Sequence, residues 1–63
     1  MAQAQFEYFT GKDGLVHWRF RSGGNNEIVA QSEAYSSKQA AKNGVRVIRQ
    51  EAAGAIEQDL TGS

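Results

Sequence analysis

The chain has 63 residues, 40% of them hydrophobic, with no cysteine and no proline. Seven lysines and arginines balance seven aspartates and glutamates. That length fits one small domain burying only about 60% of its unfolded surface, and the composition excludes disulfides, thiolate metal sites and a strong net field toward nucleic acid or anionic membrane.

The single histidine, His17, cannot build a multi-histidine metal site by itself. With disulfides gone and no metal or cofactor implied, self-association is the support left for so small a domain. No apolar run approaches the roughly 20 residues of a membrane span. The opening Met1-Ala2-Gln3-Ala4-Gln5 lacks the basic and apolar regions of a secretory leader, so a cytoplasmic location is expected. Residues 1–4 are polar and expected to fray.

The first strand is expected over residues 5–10, with Phe6 and Tyr8 on one face and Glu7 and Phe9 on the other. Gly11-Lys12-Asp13-Gly14 supplies a hairpin turn, with Gly14 where a positive φ is commonly needed. Residues 15–21 carry the cleanest alternation. Val16, Trp18 and Phe20 point toward a core, while His17, Arg19 and Arg21 point toward solvent. After the loop Ser22-Gly23-Gly24-Asn25-Asn26, a third strand is expected over residues 27–32, with Ile28, Ala30 and Ser32 on one face. Short loops between three strands make an antiparallel meander.

Ser36 with Gln39 three residues later reads as a capping box, with Ser37 the alternative cap. The helical period then runs to about Ala53. Ala41, Val45, Ile48 and Ala52 share one side, flanked by Ala40, Gly44 and Val47, and Lys38, Lys42, Arg46 and Arg49 form a basic stripe. Gly44 in a helix interior costs about 1 kcal/mol against alanine, so another backbone is expected close by, from the same sheet or a second subunit. Asn43 beside it is expected to make structural bonds. Tyr35, just before the cap, is expected to anchor the strand-to-helix turn. Gly54 ends the helix, and residues 54–63 form a tail that is a short helix, a strand or coil.

The fold class is therefore α+β: a three-stranded antiparallel meander with one helix on a single face, one domain over residues 1–63 with its core in about 6–53. Val16, Trp18, Phe20, Ile28, Ala41, Val45 and Ile48 are the expected core, joined by Phe6 and Tyr8 or by Phe9.

Several runs carry a resemblance: Trp18-Arg19-Phe20-Arg21, Asn25-Asn26-Glu27-Ile28-Val29-Ala30, Ser32-Glu33, Tyr35-Ser36-Ser37-Lys38 and Ala41-Lys42-Asn43-Gly44-Val45. Together they resemble the YegP-like family of uncharacterised bacterial proteins. The resemblance implies a strand-strand-strand-helix unit, present singly or as two tandem copies that pack on each other. A single copy would then pair as a homodimer. No reaction is implied. Asn25-Asn26 departs from the Asn-Gly often found before the third strand, although asparagine also tolerates the left-handed region.

The sharpest functional candidates are the basic residues, Arg19 and Arg21 on the sheet with Lys38, Lys42, Arg46 and Arg49 on the helix, as contacts for an anion or nucleic acid. Balanced charge, and the placement of Trp18 and Phe20 opposite the arginines, favour a solvated face and dimer rim instead. An enzyme is not expected. His17 has no catalytic partner at a recognised spacing, the carboxylates are scattered, and phosphate-loop, dinucleotide and zinc motifs are lacking. Trp18, Tyr35, Ser36, Asn43 and Gly44 are the expected structural motif of a homodimeric structural or interaction module with no small-molecule ligand.

Overall fold

A computed structural model describes residues 3–62. Three strands, β1 (Gln5–Thr10), β2 (Val16–Arg21) and β3 (Ile28–Gln31), form an antiparallel sheet in the order β1-β2-β3. A helix, α1 (Lys38–Glu51), follows and continues into a 3-10 turn over Ala52–Gly54. The expected fraying of residues 1–4 falls in part outside the described residues.

The first hairpin closes through local polar chemistry. Gly14 donates to the Gly11 carbonyl at 3.0 Å and has φ 78°. The Asp13 carboxylate accepts the Leu15 N–H at 2.9 Å. This loop sets a register in which Phe6 faces Phe20, Glu7 faces Arg19 and Tyr8 faces Trp18. In the second loop Asn26 takes the left-handed conformation, φ 61°, as the asparagine pair permits.

Beyond that loop the pairing slips. Phe20 faces Ala30 but Arg21 faces Ile28, so β3 carries one extra residue, Val29, against β2. Period-two alternation would set Ile28 with Ala30 toward the core. The bulge instead sets Ile28 across from Arg21, and it is 43% exposed. Ile28 is thus not a core residue.

Trp18 is the centre of the core, 6% exposed, packed with Ala41 and Val45 of α1. Phe6, Val16, Phe20, Tyr35 and Ile48 surround these three. Phe6 meets the indole edge-on at 5.5 Å and Phe20 at 4.8 Å. Phe6 rather than Phe9 therefore completes the core, while Tyr8 lies at its exposed margin.

Ser32 and Tyr35 lead the chain from the sheet to the helix. The Ser32 hydroxyl accepts the Trp18 N–H and the Ser32 N–H donates to the Trp18 carbonyl, both at 2.9 Å. Tyr35 then exchanges two backbone hydrogen bonds with Val16, at 2.8 and 3.0 Å. The helix cap is Ser37 and not Ser36: its hydroxyl accepts the Ala40 N–H at 3.1 Å. The paired backbone of Tyr35 holds the chain extended for longer, and Gln39 bonds the Asn43 side chain at 3.2 Å instead of closing a capping box.

Candidate functional site

The strand arginines and the helix cations lie on opposite sides of the sheet. Alternation along β2 turns Arg19 and Arg21 away from Trp18, and α1 packs on the Trp18 side. The six basic candidates therefore make two sets rather than one face.

Glu7 is the hub of the outer set. Its Oε1 accepts from Arg19 Nε at 2.7 Å and Arg21 Nε at 2.9 Å, and its Oε2 accepts from the Gln5 amide. These donors, Arg19 first, hold the Glu7 carboxyl down at about 2. Arg21 is further fixed by donating to the Asn26 carbonyl at 3.0 Å. Arg19 lies over the Phe9 ring, 5.0 Å from its centroid, and Phe9 stacks on His17 at 5.4 Å. His17 in turn contacts the Asp13 carboxylate at 3.1 Å; the Leu15 N–H first, and then His17, lowers the Asp13 pKa. Arg19, Arg21 and His17 on this face thus each have an acidic partner, Glu7 or Asp13.

On the helix side the charges are arranged differently. Lys42, Arg46 and Arg49 line a cleft of about 460 Å³ with Tyr8, Val45 and Gln50. None of the three is in an ion pair among the described residues. Lys38 is exposed in the first turn, next to the positive end of the helix dipole. Like charges at i,i+4, here Lys38 with Lys42 and Lys42 with Arg46, each cost a helix about 0.2–0.5 kcal/mol.

Arg49 also borders a second cleft, of about 420 Å³. Its other walls are apolar and include Phe6, Trp18, Phe20, Ile48 and Ala52. The chain leaves this cleft through the 3-10 turn into coil, where Ile56 is 87% and Leu60 82% exposed. The tail beyond Gly54 is therefore neither helix nor strand among the described residues.

The motif residues meet at one place. A Cβ built on Gly44 would lie 2.5 Å from the Tyr35 hydroxyl and 3.5 Å from Trp18 Nε1. The neighbour that requires glycine is therefore a tyrosine ring, not the backbone expected from the sequence. Trp18 Nε1 has no hydrogen-bond partner among the described residues. Asn43 is exposed and bonded to Gln39, and Ser36 is exposed without a capping role. Sequence reasoning missed Tyr8 and Glu7 as site residues. The hairpin register, readable from the Gly11–Gly14 loop, was the signal that would have set Glu7 opposite Arg19.

Among the described residues, no helix is long and apolar enough to cross a membrane. Residues 12–57 match the family profile described as "Domain of unknown function (DUF1508)". The chain is 36% identical over 61 residues to UPF0339 protein MS1092 of Mannheimia succiniciproducens, covering 97% of this chain and 53% of that one. It thus spans about half the length of this curated relative. A solved structure, titled as the NMR solution structure of the protein from Haloferax volcanii, superimposes with TM-score 0.81 at 33% identity, over 94% of this chain and 98% of that chain. The βββα architecture is therefore shared with an experimentally determined fold, and the chain belongs to the DUF1508 family, the uncharacterised YegP-like group that its residues resemble.

Proposed function

We propose that this domain is a structural or protein-interaction module that works as a homodimer. The observation that carries this reading is the open apolar cleft between sheet and helix, lined by Phe6, Phe20, Ile48 and Ala52. Among the described residues only Trp18, Ala41 and Val45 are buried, a thin core for an independent domain. A second copy that covers the cleft removes apolar surface from water at about 25 cal/mol per Å². Ile56 and Leu60, next to the cleft in sequence, add a further apolar surface for the same contact. The length of the Mannheimia relative supports the reading, since it leaves room in one chain for a second unit of this size.

Sedimentation velocity at micromolar concentration tests the proposal. A species of twice the 6.9 kDa chain mass is expected. Replacing Ile56 and Leu60 by serine, at sites too exposed to support the single-chain fold, is expected to shift the population toward the monomer. A monomer alone across the micromolar range sinks the proposal.

A further inference from the structure

We infer that the cleft between β1 and α1 binds single-stranded nucleic acid, with Lys42, Arg46 and Arg49 on successive phosphates and Tyr8 as a stacking surface for a base.

The first support is the segregation of charge within a neutral chain. The helix Lys38–Glu51 carries four cations against one acid, Glu51. The outer sheet face, by contrast, neutralises its arginines through Glu7. The field that a polyanion meets is therefore local, and net charge does not report it. Among the described residues no acidic side chain lines the cleft.

The second support is spacing. Lys42, Arg46 and Arg49 follow at four and three residues, so they form one row, with steps of about 6 and about 4.5 Å along the helix axis. A row of cations at that step suits a phosphodiester backbone running along the helix better than a single compact anion. The row also works against helix stability, because its like charges repel and no acid is interleaved. A bound polyanion relieves that repulsion.

The third support is the Tyr8 ring. It stands at the wall of the cleft and is 36% exposed, while Phe6 and Trp18 are committed to the core. A cationic groove with an accessible aromatic is the combination by which single strands are held without base-specific readout. The cleft's open volume of about 460 Å³ admits a base beside the helix.

Fluorescence anisotropy of a short labelled oligouridine, titrated with the full chain across a salt series, tests the inference. Binding at low salt is expected, with log affinity against log salt falling at a slope of about −2, roughly −0.7 for each of three phosphate contacts. The double variant Lys42→Gln, Arg46→Gln is expected to lose at least about tenfold in affinity and to flatten the slope by about two contacts. Tyr8→Leu is expected to lose about fivefold or more with the slope unchanged. Arg21→Gln, on the far sheet face, is expected to bind as the parent does. Circular dichroism of each variant confirms that the comparison is between folded proteins. Absence of binding at the lowest salt overturns the inference, as does an equal loss in Arg21→Gln. If Tyr8→Leu binds like the parent, or polyglutamate competes as well as unlabelled oligouridine, the site is a general polyanion contact and the nucleic-acid assignment fails.

Discussion

The Tyr35 hydroxyl lies 2.5 Å from the point where a side-chain carbon on Gly44 would sit. Ordinarily alanine in place of a mid-helix glycine stabilises by about 1 kcal/mol. Here the added methyl must displace a ring whose backbone is already pinned to Val16 by two hydrogen bonds. Overpacking of that kind costs about 1–3 kcal/mol, which outweighs the propensity gain. Gly44→Ala is therefore expected to lower stability by about 1 kcal/mol in urea unfolding. In a Tyr35→Phe background, where the hydroxyl is gone, the same change should cost measurably less. Equal costs in both backgrounds would show that the phenol is not the obstacle.

The two neighbouring serines at the helix start should behave differently. Ser37→Ala removes the acceptor for the Ala40 N–H and is expected to cost about 1 kcal/mol. Ser36→Ala removes no capping bond and is expected to stay within about 0.5 kcal/mol of the parent. Thermal melts of both variants check this. A larger loss at Ser36 would move the cap back by one residue.

Glu7 makes stability depend on pH in the acid range. Its folded-state pKa of about 2 lies below the ordinary value of 4.5, so folding favours the ionised form. The stabilisation is fully present above about pH 4.5 and is lost as pH falls toward 2. Unfolding free energy measured from pH 6 downward should therefore fall through that window. Glu7→Gln should flatten the part of the slope that belongs to this carboxylate. An unchanged slope in the variant would place the proton uptake elsewhere.

Much of the fold is visible in the order of residues. The alternation of Val16, Trp18 and Phe20 marks a half-buried strand, and the structure places their side chains at the core. Ile28 was not legible in the same way, because one extra residue in β3 reverses the face that alternation assigns. The cap was ambiguous because two adjacent serines offer the same chemistry, and only the Tyr35–Val16 pairing decides between them. Gly44 announced a close neighbour, but that neighbour is the Tyr35 ring instead of the expected backbone, since contact across a turn depends on how that ring folds back. The basic residues were legible as two rows. Their separation by the sheet follows from the side on which α1 packs, a tertiary fact that spacing along the chain does not encode.

Charge along α1 offers a test of stability set against function. Arg46→Glu converts a repelling i,i+4 pair with Lys42 into an attractive one. It should raise the melting temperature by about 2–4 °C, on the scale where 1 kcal/mol corresponds to 4–8 °C in a domain of this size. The same change should abolish oligouridine binding. A lower melting temperature would mean that Arg46 makes a stabilising contact in the folded protein.

If the homodimer forms, thermal stability should rise with protein concentration, because association draws the folded state away from the unfolded one. Calorimetric scans over a hundredfold range of concentration would show this as a steady upward shift. A concentration-independent midpoint would contradict a dimer coupled to folding.

The extra residue at Val29 also affects how the sheet meets other proteins. β3 is four residues long and irregular, so its outer rim is a poor template for an incoming strand. β1 has six residues in regular pairing, and among the described residues only one of its two edges is occupied, by β2. The sheet is thus asymmetric in its capacity to grow. Any chain that extends it by backbone hydrogen bonding would be directed to the β1 rim, and aggregation through exposed edges would be limited to that side.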